Sequence, residues 1–137
     1  ICSGVLLVEE QNNLTGEEEA LLEELLGGLG LYMKLPFAQM GAANAMSGCG
    51  PAFMAMVIEA LGDGGVKHGL TRTQAYTLAA CGMEGTAKLQ LETGLHPGVL
   101  KDQVCSPGGV TIRGVAALEE NGLRNALLKA IDATFDI

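Results

Sequence analysis

The sequence predicts a mainly α-helical protein in which about six helices follow a short strand–helix–strand unit. Three observations in the 137 residues lead to this prediction. Apolar residues recur at helical spacing over most of the chain after Pro36. Two short apolar runs with the length of buried strands occur, and both lie before Pro36. Glycine and proline then interrupt the helical pattern at intervals, which predicts several moderate helices instead of one long helix.

Residues 1–35 are predicted to form the strand–helix–strand unit. The first strand is expected over Ser3–Glu9, which contains a continuous apolar run. A helix is expected over 15–29, because Thr15 is followed three residues later by Glu18 in a capping-box pattern. The second strand is expected over Leu31–Leu35. Two strands do not form a stable sheet alone, so this unit is predicted to be the C-terminal remnant of a larger α/β domain.

Residues 36–137 are predicted to form the helical domain. A break between its first two helices is expected at Ser47–Gly50, because serine and glycine favour turns. The second helix is apolar on most sides, so it should lie at the centre of the domain or at an interface between chains. Helices are expected over Pro36–Met46, Pro51–Lys67, Thr71–Thr93, Pro97–Val104, Thr111–Glu120 and Leu123–Phe135.

Composition and charge argue against several functions. The net charge of −8 disfavours nucleic acid and anionic membranes as partners. The four cysteines lack metal-binding spacing, so no metal site is predicted and a reducing, cytoplasmic location is expected. The uncharged stretch Leu35–Ile58 is long enough to raise the question of a membrane span. Prolines and polar residues interrupt it, so a buried interface helix explains it better. Apolar residues make up 48% of the chain, which favours burial against a second copy.

The run Ser106-Pro107-Gly108-Gly109-Val110-Thr111 is the strongest candidate binding site. Proline and paired glycines predict a tight turn that leads into a helix. The amides of Gly109, Val110 and Thr111 are expected to be unpaired there, beside the Thr111 hydroxyl. Unpaired amides at the positive end of a helix dipole bind carboxylates or phosphates. From these six residues alone, a helix cap without a ligand is the simpler alternative.

The order and spacing of several motifs resemble the C-terminal part of pyrroline-5-carboxylate reductases. The resemblance covers essentially the whole chain and is densest from Ala42 to Leu128. The motifs are Ser47-Gly48-Cys49-Gly50-Pro51-Ala52-Phe53, Glu59-Ala60-Leu61, Gly65-Val66-Lys67, Gly69-Leu70, Leu100-Lys101-Asp102, Ser106–Thr111 and Leu118-Glu119.

The resemblance implies an enzyme of proline biosynthesis that reduces 1-pyrroline-5-carboxylate to L-proline with NADPH or NADH. It implies a helical domain that forms a homodimer, or a higher oligomer, and binds this small imino acid. The residues expected to hold the substrate carboxylate are Ser106, Gly108, Gly109, Val110 and Thr111. Asn44 stands where the family typically has threonine, and is the candidate catalytic residue as a partner of the imine nitrogen. Gly41 and Cys49 also depart from the family pattern, where aspartate and serine are common.

No G-x-G-x-x-G motif follows a strand and opens a helix, so no cofactor-binding residue is predicted in this chain. The resemblance implies that NADP or NAD is bound mainly by a Rossmann-type domain N-terminal to the matched stretch, and that residues 1–35 are its end. We therefore expect the chain to be the C-terminal part of the enzyme and to be inactive alone.

Two other functions remain open at this point. The missing nucleotide motif and Asn44 favour a non-catalytic paralogue or a helical dimerisation module of the same superfamily. The helical domain of a dehydrogenase of the 6-phosphogluconate type is a further alternative, against which the Ser106–Thr111 run argues. His68 and His96 lie beside glycine or proline at expected helix ends. A surface or capping role is therefore expected for them instead of catalysis.

Overall fold

The architecture was analysed in a computed structural model that describes residues 1–135. The chain divides into two compact units, Ile1–Pro51 and the residues from Ala52 onward, which are described separately. The first unit contains the strands and the second contains most of the helices.

The first unit begins with the predicted strand–helix–strand arrangement. Strand β1 (Gly4–Glu9) lies parallel to strand β2 (Gly30–Leu35), with Gly4 opposite Gly30. Helix α1 (Gly16–Leu26) connects them. The capping box at its start is present, because the Glu18 amide donates to Thr15 Oγ1 at 3.3 Å and the Thr15 amide donates to Glu18 Oε2 at 2.8 Å. The prediction is confirmed, although α1 ends three residues early, where Gly27 and Gly28 form a 3₁₀ turn.

The predicted break at Ser47–Gly50 is wrong. Helix α2 (Phe37–Asn44) continues through a π-helical turn at Ala45–Cys49 into helix α3 (Gly50–Lys67). The Gly50 amide donates to the Ala45 carbonyl, five residues back, as a π turn requires. Pro51 has no amide hydrogen and its ring crowds the carbonyl four residues earlier, so a wider turn accommodates it without ending the helix.

The remaining helices follow the predicted order. They are α4 (Arg72–Thr93), α5 (Pro97–Gln103), α6 (Val110–Glu120) and α7 (Leu123–Asp132), and each boundary lies within three residues of its prediction. The capping box at Thr71 is present: the Gln74 amide donates to Thr71 Oγ1 at 3.3 Å, and the Thr71 amide donates to Gln74 Oε1 at 3.0 Å. Gly94 ends α4 with a φ of +64°, a conformation that favours glycine.

Helices α3 and α4 meet through a small residue. A side chain at Gly62 would overlap the ring of Tyr76, so only glycine allows this approach. Arg72 Nη1 joins the same contact by donating to Asp63 Oδ1 and to the Tyr76 hydroxyl, both at 2.6 Å. The guanidinium carbon also lies 5.4 Å from the centre of the Tyr76 ring. These interactions fix the angle at which α4 leaves α3.

Much of the apolar surface of the described residues is uncovered within one chain. The only buried apolar residues among them are Ala45, Ala75 and Leu100. On α3 and α4, Met56 is 67% exposed and Leu78 is 62% exposed. By length and composition alone, the 31-residue helical run Phe37–Lys67 would also be able to cross a membrane. Only 11% of its most apolar 18-residue stretch is buried within the chain, in agreement with the prediction that this region lies at an interface.

Candidate functional site

The run Ser106–Thr111 forms a tight turn followed directly by α6. The Gly109 amide donates to the Ser106 carbonyl at 3.0 Å and closes the turn. Pro107 occupies its second position, and Gly108, with a φ of +70°, occupies the third. This arrangement is typical of a type II turn, in which the third residue needs a positive φ and is usually glycine. The sequence of the run therefore accounts for its backbone.

One of the three amides predicted to be free is not free. The Gly109 amide is used within the turn, since a type II turn needs this hydrogen bond. The amides of Val110 and Thr111 begin α6 and donate to no acceptor within residues 1–135. Gly109 caps the helix with a φ of −68° and without any side-chain hydrogen bond. Two unpaired amides are therefore directed away from the helix at its positive end.

The absence of a side chain at Gly109 makes room for the side chain of Ser106. A Cβ atom there would overlap Ser106 Oγ and would lie 3.1 Å from the Ser106 carbonyl oxygen. Ser106 Oγ is thus held against the backbone of the turn, close to the start of α6. Val110 is 83% exposed, so its side chain does not close the site within this chain.

A cation that the sequence analysis missed lies in the same turn of the helix. Arg113 Nη2 donates to the Gly108 carbonyl at 3.3 Å. No acidic residue lies in the first turn of α6. A cation near a helix N-terminus is unfavourable for the dipole, and that mismatch is the sequence signal that would have identified Arg113. The start of α6 therefore carries the Val110 and Thr111 amides, the Thr111 hydroxyl and the Arg113 guanidinium, and no carboxylate lies in the same turn.

The other predicted site residue belongs to the first unit. Asn44 is the last residue of α2, its side chain is exposed, and the π turn begins at the next residue. A Cβ at Gly48 would lie 3.5 Å from Asn44 Oδ1, so the Asn44 amide group lies along the π turn. Ser47 Oγ donates to the Ala43 carbonyl at 2.9 Å on the same stretch. The residues Ser106–Thr111 thus lie together at the start of α6, whereas Asn44 belongs to the other compact unit.

His96 and the charged residues of α5, α6 and α7 have structural roles. His96 caps α5, because its Nδ1 accepts a hydrogen bond from the Gly98 amide at 3.0 Å, which confirms the predicted capping role. On α5, the Asp102 carboxylate accepts a hydrogen bond from Lys101 and raises the pKa of that ammonium group. Glu119 accepts from Arg124 Nε at 2.6 Å and connects α6 to α7. Residues 1–135 contain no group of three potential metal ligands.

An apolar groove of about 840 Å³ lies along α3, α4 and α5 in the second unit. Small residues at Gly82 and Thr86 form part of its wall, and nothing lies within 4 Å of a Cβ built at Gly82. The groove has the apolar character of a surface that packs against another helix. Its main apolar residues are Leu61, Leu78, Met83, Leu89, Leu100 and Val104.

The chain thus has the features of a helical domain that contains a turn with two unpaired amides at a helix start and a large uncovered apolar surface. Residues 38–137 match the family described as pyrroline-5-carboxylate reductase dimerisation. A pyrroline-5-carboxylate reductase from Treponema pallidum is 47% identical over 133 residues, which cover 97% of this chain and 51% of that protein. A pyrroline-5-carboxylate reductase from Methanosarcina acetivorans is 46% identical over 119 residues, which cover 87% of this chain and 44% of that protein.

Solved structures agree with these sequence matches. A pyrroline-5-carboxylate reductase from Coxiella burnetii superimposes with a TM-score of 0.89 at 29% identity, over 97% of this chain and 50% of that one. The Plasmodium falciparum enzyme, solved with NADP bound, gives 0.87 at 28% identity, over 97% of this chain and 51% of that one. The chain belongs to the pyrroline-5-carboxylate reductase family, as the resemblance implied. It spans about half the length of the curated relatives it matches.

Proposed function

We propose that the chain is the C-terminal part of a cytoplasmic pyrroline-5-carboxylate reductase. The intact enzyme reduces 1-pyrroline-5-carboxylate to L-proline with NADPH or NADH in proline biosynthesis. The single observation that supports this function most strongly is the turn that leaves the Val110 and Thr111 amides free at the start of α6. It lies inside the stretch that matches the family, and the proposed substrate has one carboxylate for it to bind.

In this proposal the turn positions the substrate. The carboxylate accepts hydrogen bonds from the Val110 and Thr111 amides and from the Thr111 hydroxyl, at the positive end of α6. Ser106, Gly108 and Gly109 form the frame that holds these donors in place. Fixing the carboxylate orients the imine carbon for attack by hydride, which is a contribution from proximity and orientation.

The described residues do not fit a dinucleotide. Gly28 and Leu29 lie in the 3₁₀ turn after α1 and Gly30 begins β2, whereas a phosphate-binding turn precedes a helix. Gly48-Cys49-Gly50 is helical. We propose that residues 1–35 are the end of the dinucleotide-binding domain and 36–137 the dimerisation and substrate domain. The cofactor would be held mainly by residues outside this chain.

Asn44 is proposed as the partner of the imine nitrogen. Its exposed amide group is a hydrogen-bond donor, although an amide is a poor source of a proton. In the full-length enzyme, Asn44→Thr should therefore increase kcat, because a hydroxyl transfers protons more readily. Steady-state kinetics of the two forms test this role, and an unchanged kcat would remove Asn44 from the reaction.

A homodimer accounts for the uncovered apolar surface. The exposed residues of α3 and α4 and the groove beside them would pack against a second copy. The expected interface is of the obligate kind, above ~2,000 Å² in total. Sedimentation of the chain at micromolar concentration should show a dimer or a higher oligomer, and a stably folded monomer would contradict the proposal. The net charge of −8 disfavours nucleic acid and anionic membranes as partners.

The function is tested with a full-length protein that has this chain as its C-terminal half. We expect oxidation of NADPH or NADH that depends on 1-pyrroline-5-carboxylate and yields proline. The isolated chain is the matched control and should be inactive. A full-length protein that dimerises but shows no turnover would favour the alternative, a non-catalytic paralogue. Turnover by the isolated chain would contradict the location of the cofactor site.

A further inference from the structure

We infer that Arg113 is a positioning residue for the substrate carboxylate. This inference rests on the proposed function and adds a residue that the resemblance did not identify. Arg113 lies in the first turn of α6 and donates from Nη2 to the carbonyl of Gly108, the residue with the positive φ in the Ser106–Gly109 turn. Its guanidinium therefore touches the element that directs the Val110 and Thr111 amides.

The pairing of the other arginines distinguishes Arg113. Arg72 is paired with Asp63 at 2.6 Å, and Arg124 is paired with Glu119 at 2.6 Å. Among the residues that the structure describes, Arg113 forms no salt bridge, and its contact is with a neutral carbonyl. A guanidinium has five N–H donors, so most of those on Arg113 are available to an anion. Lys67 and Lys129 also form no salt bridge among the described residues, but each lies in the last turn of its helix, where a cation is favourable.

The location of Arg113 is unfavourable in the absence of an anion. Its side chain reaches back to the Gly108 carbonyl at the positive end of the helix dipole, and no acidic residue occupies the first turn of α6. A bound carboxylate removes this repulsion and gains an attraction to the guanidinium and to the Val110 and Thr111 amides. The guanidinium would therefore act in two ways: it braces the Gly108 carbonyl, and it attracts the carboxylate before and during binding.

The test compares Arg113→Gln with Arg113→Lys in the full-length enzyme, with Arg124→Gln as the matched surface control. The KM for the imine should rise about two- to fivefold in Arg113→Gln, the range expected for one exposed charge, while kcat and the KM for NAD(P)H stay unchanged. Arg113→Lys should recover part of the loss, and Arg124→Gln should match the wild type. The kcat/KM of the wild type should also fall more steeply with salt than that of Arg113→Gln. A purely structural brace would not alter this salt dependence.

Calorimetric titration with proline measures the same site without turnover. Weaker proline binding by Arg113→Gln than by the wild type supports the inference, even if the full-length protein proves inactive as a reductase. Equal proline affinities, or equal salt dependence in the two forms, would overturn it. If the wild type turns over normally and Arg113→Gln is unchanged in every measurement, the inference fails and the proposed function stands.

Discussion

Two segments rich in serine, glycine and proline have opposite structures in this protein. Ser106–Gly109 is a turn between α5 and α6 that leads directly into α6. Ser47–Pro51 also contains a serine, two glycines and a proline, with Cys49 between the glycines, and it continues a helix through a π turn. The difference lies in where proline stands. Pro107 follows serine directly and is followed by a glycine with positive φ, whereas Pro51 comes after Gly48 and Gly50, neither of which has a positive φ.

The comparison shows that glycine content alone does not predict a chain break. In the first segment, the positive φ of Gly108 cannot be part of a helix, so the chain must turn. In the second, apolar helical sequence flanks the segment on both sides, and the loss of one amide at Pro51 is accommodated by the wider hydrogen-bond spacing. The turn leaves unpaired amides at the start of α6, and the π turn lies beside Asn44 without ending the helix.

The largest expected effect comes from adding a side chain at Gly109, inside the turn. Gly109→Val would overlap Ser106 Oγ, so the turn that positions the Val110 and Thr111 amides would have to shift. In the full-length enzyme, kcat/KM for the imine should fall by more than about 100-fold, equivalent to ~2.7 kcal/mol. Gly114→Ala on the same helix is the matched control, because nothing lies within 4 Å of its added Cβ. Similar kinetics for the two variants would show that the turn has no contact with substrate.

The same substitution in the two segments should change stability in opposite directions. Gly108→Ala places a side chain at a φ of +70° and should lower the free energy of unfolding by about 1–2 kcal/mol. Gly48→Ala lies in helical backbone, with only an ordinary contact at 3.5 Å, and should raise it by about 0.5–1 kcal/mol. Urea unfolding of the chain measures both. Changes of the same sign would contradict the difference in backbone conformation between Gly108 and Gly48.

A smaller effect is expected from the hydroxyl on the π turn. Ser47→Ala removes the hydrogen bond to the Ala43 carbonyl and should lower the free energy of unfolding by about 0.5–1.5 kcal/mol. Substrate kinetics of the full-length enzyme should stay close to those of the wild type, because Ser47 is not a proposed ligand. Urea unfolding together with a steady-state assay separates the two quantities. A loss of activity without a loss of stability would give Ser47 a role in the reaction.

Local sequence signals were sufficient for most of the fold. Thr15 with Glu18 identified a helix start, because a capping box forms its hydrogen bonds within a few residues. The π turn was missed because it depends on Pro51 being tolerated inside a longer helix, which the flanking sequence decides.

The candidate site was predicted in part. The Ser106–Thr111 turn followed from the conformations of proline and glycine, but the use of the Gly109 amide inside the turn depended on the turn type. Arg113 was missed because its contact with the Gly108 carbonyl spans five residues and depends on the conformation of the turn. Resemblance identified Asn44, and local geometry alone gave no reason to select it.

The central claim is that the start of α6 holds the substrate carboxylate. It is tested most directly by calorimetric titration of proline into the full-length enzyme and its Thr111→Val variant. Valine keeps the shape of threonine but removes one hydroxyl donor to a charged group, a loss of about 1.5–3 kcal/mol. We therefore predict that proline binds the variant roughly ten- to a hundredfold more weakly, with unchanged affinity for NADPH. Equal proline affinities would show that the hydroxyl does not bind the carboxylate, and would contradict the claim.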